Sequence, residues 1–330
     1  MEVNSSLMRR FRQLEEVVRS RRTFRMLAVL VGVAAVGAVV GASQPAYATY
    51  PGSNNGRIAF GVNSGDNVNF DIYSVLPNGE GIHQLTDSPA FDACPAYSAD
   101  GKSIAYCSGV RARGGVIEIW VMKQNGTQHR QVTRLGGRMI FPDFSPDGSR
   151  IVFSGRLPGA TNEDIFAIDV DGTGPAQLTT NPGNDVLAAY SPDGAKIVFT
   201  SNRTGIPQVW VMNADGTSQT QLTFDGLIKD QVPDWSPDGS QIAYAACVPG
   251  GPCDIWVMNA NGSGQHPVLA GSTDDFGPAW SPDGTQIAFA RFDDRTVYVA
   301  NADGTGAYAV HPLRGQAVPA WQPRGGRLDN

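Results

Sequence analysis

The sequence predicts an all-β fold built from repeats, on two observations. An aromatic residue followed by Ser-Pro-Asp-Gly or Ser-Ala-Asp-Gly precedes a short Ile-Ala/Val-aromatic strand five times, starting at Tyr97, Phe144, Tyr190, Trp235 and Trp280. The strand isoleucines recur every 45 to 47 residues, at Ile58, Ile104, Ile151, Ile197, Ile242 and Ile287. A fixed period of this size with four strands per repeat is typical of β-propellers. The sequence therefore predicts a six-bladed β-propeller of four-stranded antiparallel blades.

The fifth repeat shows the four strands, named a to d in chain order, most clearly. Strands are expected where β-branched and aromatic residues cluster, and turns where Gly, Asn, Asp and Pro cluster. In this repeat the predicted strands are Val232–Trp235, Gln241–Tyr244, Asp254–Met258 and His266–Leu269. Elsewhere strand d carries Gln-Leu-Thr, as at Gln84-Leu85-Thr86. Each repeat is thus expected to form one blade.

The first and last repeat segments are incomplete in complementary ways. Strand b at Ile58-Ala59-Phe60 has no aromatic-Ser turn before it, whereas Val318-Pro319-Ala320-Trp321 has no strand b after it. We expect residues 318–321 to pair with residues 57–60 and to close the ring, which removes the open sheet edges of a linear array.

The repeat resembles that of TolB-type propellers, the WD40-like Pro-Asp repeat family. The resemblance rests on aromatic-Ser-Pro-Asp-Gly-x-x-Ile-Ala-Phe, on Asp-Ile-Trp-Val-Met-Asn-Ala-Asp-Gly-Thr and on Gln-Leu-Thr, and it spans about residues 57 to 324. It implies a protein-interaction role, with the partner on the loop-rich face. TolB has a separate α/β domain before its propeller, and we expect this chain to be TolB-like without that domain.

The first 48 residues have the pattern of an export signal. Arg21 and Arg22 lie in Ser-Arg-Arg-Thr-Phe-Arg, which resembles the twin-arginine motif, and an apolar run covers residues 26–42. Ala46 and Ala48 form an Ala-x-Ala cleavage site. The alternative is an uncleaved membrane anchor at residues 26–42, since about 17 apolar residues just span a bilayer. The predicted divisions are 1–48 signal, 49–56 linker, 57–326 propeller and 327–330 tail.

The charge balance bears on partners. The whole chain has a formal charge of −6, which becomes −10 when residues 1–48 are removed. An acidic domain without a basic patch argues against nucleic-acid binding. We expect an exported monomer without a cofactor, in the periplasm or cell envelope or secreted, with a membrane contact only through the signal segment.

Four cysteines form two local pairs. If Ser98 faces Ser103 across the first a–b turn, Cys94 lies directly opposite Cys107, where the side chains can bridge. Cys247 and Cys253 flank the short b–c connection of the fifth repeat. We expect two disulfides, which suit an oxidising compartment. A metal site is the alternative, although the two pairs belong to non-adjacent blades and lack zinc spacing.

The sequence lacks the common catalytic motifs. It has no Gly-x-Ser-x-Gly elbow and no His-Glu-x-x-His helix. The four histidines each lie in or beside a strand d, where they cannot converge on one metal, at His83, His129, His266 and His311. We expect a non-enzymatic interaction module. A carbohydrate- or small-ligand-binding propeller is the alternative, followed by an enzyme with a site built from channel loops.

One repeated acid stands out three residues before the Pro position of strand a. It is present in four repeats, at Asp92, Asp185, Asp230 and Asp275, whereas Met139 and Gln316 take its place in the other two. Because strand a is innermost, these side chains are expected at the mouth of the central channel. They would either form a negative ring that binds a cationic ligand, with Arg138 offsetting part of the charge, or cap their own d–a loops through side-chain-to-backbone bonds.

Overall fold

The structure is a computed structural model that describes residues 54–63, 69–110, 115–226, 228–311 and 319–324. The predicted export signal, with Arg21, Arg22, Ala46 and Ala48, lies outside these residues, as do Gln316 and the 327–330 tail. All regular structure in the described part is β, as predicted. No helix that could span a membrane occurs among those residues.

The strands follow the sequence repeats in order. Repeat 1 contains β1 (Asn54–Asn63), β2 (Phe70–Val75), β3 (His83–Gln84) and, from the end of the chain, β24 (Ala320–Arg324). Repeat 2 contains β4 (Phe91–Tyr97), β5 (Ser103–Gly109), β6 (Ile117–Lys123) and β7 (Arg130–Gln131). Repeat 3 contains β8 (Arg138–Phe144), β9 (Arg150–Arg156), β10 (Asp164–Asp169) and β11 (Ala176–Gln177).

The other three repeats have the same order of strands. Repeat 4 contains β12 (Asp185–Tyr190), β13 (Lys196–Ser201), β14 (Gln208–Asn213) and β15 (Thr220–Gln221). Repeat 5 contains β16 (Lys229–Trp235), β17 (Gln241–Cys247), β18 (Cys253–Asn259) and β19 (His266–Leu269). Repeat 6 contains β20 (Asp275–Trp280), β21 (Gln286–Arg291), β22 (Thr296–Asn301) and β23 (Tyr308–His311).

Within each repeat, consecutive strands pair antiparallel. Strand β24 pairs antiparallel with β1, and Ile58 lies opposite Trp321. The strand a of each repeat also contacts the strand a of the next repeat. The contacting pairs are β4 and β8, β8 and β12, β12 and β16, β16 and β20, β20 and β24, and β24 and β4. Strand β24 thus contacts the strand a of repeat 6 and that of repeat 2.

The hydrophobic core lies between neighbouring repeats. One cluster joins Ile72 and Leu85 of repeat 1 to Tyr97 and Ile104 of repeat 2. The strand-b isoleucines used to define the period are all fully buried. Because the large side chains of one sheet pack against the next sheet, a single repeat could not bury both of its faces.

The threonine of Gln-Leu-Thr, or of Gln-Val-Thr in repeat 2, joins the end of strand d to strand c. Its hydroxyl accepts a hydrogen bond from the backbone N–H of strand c, as in Ile119 to Thr133 at 2.8 Å. The same bond recurs at Ile72, Ile165 and Val209. The Thr133 hydroxyl in turn donates to Glu118, which precedes Ile119. A hydroxyl that both accepts and donates fixes this corner of the repeat.

Strand a contains a β-bulge in five repeats, which the sequence analysis did not predict. The residue at its centre has a left-handed backbone with φ between 57° and 63°, at Cys94, Phe141, Leu187, Val232 and Gly277. Left-handed backbone costs a non-glycine residue about 1 kcal/mol. The backbone N–H of Leu187 donates to Ser154 of the preceding repeat at 2.9 Å, which links the bulge to its neighbour.

Both predicted disulfides are present, although one rests on a different register. Because of the bulge, Cys107 lies opposite Ala93, so the expected direct pairing with Cys94 is wrong. Cys94 is the bulge residue itself, and its Cα lies 5.6 Å from that of Cys107, within bridging reach. Cys247 and Cys253 face each other across β17 and β18 and form the second disulfide.

Candidate functional site

The four predicted aspartates occupy the first or second residue of β4, β12, β16 and β20. Their side chains are buried, with residue exposures of 0 to 4% at Asp92, Asp185, Asp230 and Asp275. The four carboxylates are therefore largely shielded from solvent, and their surroundings differ.

Two of these aspartates are neutralised by arginine. Arg291 donates to both carboxylate oxygens of Asp275, from Nε at 2.7 Å and from Nη2 at 2.9 Å. Arg203 donates from Nη2 to Asp185 at 2.7 Å. Pairing with two oxygens fixes the orientation of the guanidinium plane as well as its position. These two sites therefore offer no free negative charge to a ligand.

Aromatic rings hold the two guanidinium groups in place. Arg203 lies over Trp210, 4.5 Å from the ring centre, and Arg291 lies over Tyr298 at 4.3 Å. Such contacts stabilise a partly desolvated cation. Trp210 and Tyr298 occupy the same position of strand c, since each lies opposite a phenylalanine of strand b. The strand-c aromatics thus orient cations in addition to packing between repeats.

Asp92 is tied to its own d–a loop by a hydroxyl. Ser88 donates to Asp92 at 2.8 Å, and the same Ser88 oxygen accepts the N–H of Ala90. In repeat 4, Asn181 likewise donates to Asp185 and accepts the N–H of Gly183. In these two repeats Ser88 and Asn181 bond the backbone of the d–a loop, and the aspartates accept hydrogen bonds from those two side chains.

Asp230 is the least compensated of the four. It is 1% exposed, and neither carboxylate oxygen accepts a hydrogen bond in the described part of the chain, because the nearby Thr223 hydroxyl donates to Gln208 instead. Burial first, and then the charge of Asp225, raise the pKa of Asp230 to about 7, although the nearby Thr223 hydroxyl opposes the rise. This carboxyl therefore changes its charge near neutral pH.

Repeat 3 replaces the acid with Met139, which is fully buried beside Gly155. Arg138 pairs with Glu163 at 2.6 Å. Burial raises the pKa of Glu163 and lowers the pKa of Arg138. The pair therefore neutralises a buried acid within its own repeat.

Two buried acids were missed by the sequence analysis. Asp143 and Asp234 are fully buried and accept the backbone N–H of Tyr190 and Trp280 in the following repeat, each at 2.8 Å. Burial raises the pKa of both carboxyls well above the usual range, and the charge of Asp234 adds to the rise at Asp143. The sequence feature that could have revealed them is the residue directly before the strand-a aromatic. It is Asp in these two repeats and Ala in the others.

Exposed apolar side chains concentrate on the b–c and d–a connections. Val110 and Val116 lie in the b–c connection of repeat 2, Phe224 in the d–a connection before β16, and Val248 in the b–c connection of repeat 5. Phe224 is 73% exposed. The remaining large exposed hydrophobic of the described residues is Tyr308, on β23.

A buried glutamine holds the backbone around Phe224. The Gln208 amide donates to the carbonyl of Asp225 at 3.2 Å and to that of Ile228 at 2.8 Å. The Gln208 carbonyl accepts the Thr223 hydroxyl at 3.0 Å. The loop that carries Phe224 is therefore anchored at both ends, so the ring is presented from a fixed backbone.

The histidines lie where the sequence predicted. His83, His266 and His311 are in strands β3, β19 and β23, and His129 directly precedes β7. His129 bonds the Tyr106 hydroxyl through Nδ1 at 2.8 Å. No group of acids, histidines and cysteines that could hold a metal occurs among the residues described by the structure.

The comparisons with known proteins agree with the repeat architecture. The model of the TolB beta propeller domain matches residues 57–325. The chain belongs to this family. An uncharacterised protein of Agrobacterium fabrum is 33% identical over 183 residues, which cover 55% of this chain and 45% of that protein. The chain spans less than half the length of the curated relatives it matches.

Solved structures show the same family fold. TolB from Acinetobacter baumannii aligns with a TM-score of 0.71 and 26% identity, over 89% of this chain and 71% of that chain. An oligogalacturonate lyase from Vibrio parahaemolyticus aligns with a TM-score of 0.56 and 15% identity, over 82% of this chain and 78% of that chain. At that identity, the likeness to the lyase concerns the fold alone.

Proposed function

We propose that this protein is an exported, non-enzymatic six-bladed β-propeller that binds a protein partner in the bacterial cell envelope or outside the cell. The ring is closed by β24 on the first blade, and the partner docks on the face formed by the b–c and d–a connections. The pairing of β24 with β1 and the cycle of strand-a contacts support the closed ring.

The exposed Phe224 carries the proposal. Phe224 is 73% exposed on a loop that Gln208 anchors, so burial of its ring contributes little to the stability of the fold. Three further exposed valines lie on the same set of connections, at Val110, Val116 and Val248. Binding residues are found disproportionately on loops held by a rigid scaffold, which supports this face as the binding surface.

The family and the cysteines support the cellular setting. The chain resembles TolB from Acinetobacter baumannii in fold and sequence. Two disulfides fit an oxidising compartment. Arg21 and Arg22 with Ala46 and Ala48 support export by the twin-arginine route and cleavage before Thr49, whereas retention of residues 26–42 would leave a membrane anchor.

Site-specific cross-linking tests the binding face. A photoreactive amino acid at Phe224 or Val248 should form discrete cross-linked protein bands in cells that export the chain. The matched control is the same amino acid at Lys123, an exposed residue on the opposite set of turns. Equal bands at Lys123 would remove the loop face from the proposal, and no band at any position would remove protein binding.

A further inference from the structure

The b–c and d–a connections of repeats 5 and 6 carry far more negative charge than the same connections of repeats 3 and 4. The acidic sector consists of residues 223–230, 246–254, 269–275 and 291–296, with Leu227 outside the described residues. It contains seven aspartates and three basic residues, a formal charge of −4. The equivalent segments of repeats 3 and 4 contain three acids and four arginines, a formal charge of +1; these are residues 133–139, 155–164, 179–185 and 201–208.

The aspartates of the acidic sector tie neighbouring loops together. Asp274 accepts the backbone N–H of Cys253 at 2.8 Å, and its own N–H donates to Asp293 at 3.1 Å. Asp254 accepts the N–H of Gly271 at 3.0 Å. Part of this acidity therefore has a structural use, since it satisfies backbone donors on the loop face.

Neutral asparagine makes the same bonds in repeat 4. Asn184 occupies the position of Asp274, one residue before the strand-a acid, and accepts the N–H of Glu163 at 2.9 Å. The N–H of Asn184 donates to Asn202 at 2.7 Å, as that of Asp274 does to Asp293. An amide oxygen thus replaces the carboxylate at both ends of this link. The negative charge in repeats 5 and 6 is not needed for the backbone bonds.

Two further features of the sector point to a ligand. Asp230 is buried and has no hydrogen-bond partner for either oxygen in the described part of the chain, and its neighbour Lys229 lies opposite Cys247, directly before Val248. Phe224 and Val248 are the exposed apolar side chains of the same loops, at 73% and 41%. Surplus acid, an unsatisfied buried carboxylate and exposed apolar groups lie together.

We infer that the acidic sector is a docking surface for a basic, partly apolar polypeptide segment, whose Lys or Arg side chains face its exposed aspartates and whose apolar side chain covers Phe224. This inference rests on the proposed function, because it names the part of the loop face that is used and the chemistry of the segment. Charge complementarity selects a cationic segment and disfavours acidic ones. Apolar contact with Phe224 adds the selectivity that charge alone lacks.

Matched charge variants test the inference. In the sector variant, Asp225, Asp274 and Asp293 are changed to Asn, which removes three charges and keeps an acceptor oxygen. In the control variant, Asp171, Asp215 and Asp303 on the opposite turns are changed to Asn. These exposed aspartates accept a threonine N–H. In other repeats Asn125 accepts the N–H of Thr127 and Asn261 that of Ser263 at the same position. Both variants should therefore melt within a few degrees of the parent.

The probe is a fluorescent 12-residue peptide with four lysines and two phenylalanines among Gly and Ser, and its twin has Glu for Lys. We expect the sector variant to bind the lysine peptide at least tenfold more weakly than the parent, with a shallower salt dependence, and the control variant to bind within twofold. Phe224→Ser should weaken binding without changing the salt dependence.

Equal affinities of the sector and control variants, equal binding of the Glu twin, or no binding by the parent would overturn the inference. Cross-linking at Phe224 in cells separates this outcome from failure of the proposed function. If cross-links persist while the peptide does not bind, the partner segment is not basic. If the peptide binds but no cross-link forms, the acidic docking surface stands and the proposed protein partner does not.

Discussion

Arg291 clamps Asp275 by donating one hydrogen bond to each carboxylate oxygen, and its guanidinium lies 4.3 Å from the ring centre of Tyr298. Repeat 4 reaches the same result differently, because Arg203 comes from the b–c loop and Arg291 from strand b. Repeat 3 has neither charge at this position, with Met139 facing Gly155. The fold therefore tolerates either a neutralised acid or no acid here.

The first prediction concerns that pair. Arg291→Gln should lower the free energy of unfolding by about 3 kcal/mol, because it leaves Asp275 buried without its cation. The double variant Asp275→Asn/Arg291→Gln should lose less, since no charge remains. Chemical denaturation of the parent and both variants measures the differences. A single variant as stable as the parent would show that solvent already compensates Asp275.

The second prediction concerns pH. The pKa of Asp230 is about 7 in the folded protein and 3.8 in a model compound. At a pH between these two pKa values, the Asp230 carboxyl is ionised in the unfolded chain but still protonated in the folded protein. The free energy of unfolding therefore falls as the pH rises from about 4 to 7. Asp230→Asn removes this loss. It should therefore raise the melting temperature at pH 8 and change it little near pH 4.

Asp275→Asn is the control for this series, and its effect should have the opposite sign at pH 8. It removes the partner of Arg291 rather than an unpaired acid, so it should lower the melting temperature. Parallel melting curves of parent and Asp230→Asn at every pH would contradict a buried, partly protonated Asp230.

The third prediction concerns the disulfides. Cys94 and Cys107 are 13 residues apart, and the chain-entropy model assigns about 3 kcal/mol to a loop of that size. The Cys94→Ser/Cys107→Ser variant should lose up to that amount, and the Cys247→Ser/Cys253→Ser variant should lose less, because its loop is shorter. Mass spectrometry of exported protein without reductant should find no free thiol. Four alkylatable cysteines would refute both bridges.

The fourth prediction concerns ring closure. Deleting residues 319–330 removes β24 and with it the buried Trp321, whose Nε1 donates to the Ala279 carbonyl at 3.1 Å. We expect aggregation or loss of a cooperative thermal transition. Deleting only residues 325–330 is the control and should leave the transition intact. If the longer deletion melts like the parent, the ring does not depend on β24.

The fifth prediction concerns export. Replacing Arg21 and Arg22 together with Lys should hold the precursor in the cytoplasm, because the twin-arginine route reads the arginine pair. N-terminal sequencing of the parent recovered outside the cytoplasm should give Thr49. Normal export of the double-Lys variant would indicate the general secretory route instead.

The strands and turns could be predicted because the same residue types recur at the same positions from one repeat to the next. Ile242, Trp235 and the Ser236–Gly239 turn sit where their counterparts do in the other repeats. The bulge at Cys94 could not be predicted, because the residues at this position differ chemically between repeats. At Leu187 and Val232 the bulge N–H is bonded by a hydroxyl of the preceding repeat, a contact that the local sequence does not reveal. The predicted pairing of Cys94 with Cys107 was nevertheless right, because a shift of one residue in the strand register still leaves the two cysteines close enough to bridge.

The surroundings of the aspartates were beyond sequence reasoning. Asp275 and Asp230 occupy the same repeat position, yet Arg291 neutralises one and nothing in the described part of the chain neutralises the other. The two aspartates differ in their surroundings because the neighbouring residues vary in type between repeats. The repeat pattern of the sequence therefore carries no information about these neighbours. Asp234 was missed for the same reason, because most repeats have alanine there.

The pairing of β24 with β1 bears on how such a chain can grow. These strands come from opposite ends of the described chain and share one sheet. Duplicating a whole unit of about 46 residues inside the chain leaves that pairing intact, because both strands keep their neighbours. A unit added outside either strand would have no partner edge. Gain or loss of repeats in an ancestor of this chain is therefore expected at internal boundaries, and traces of recent duplication should be sought between neighbouring middle units.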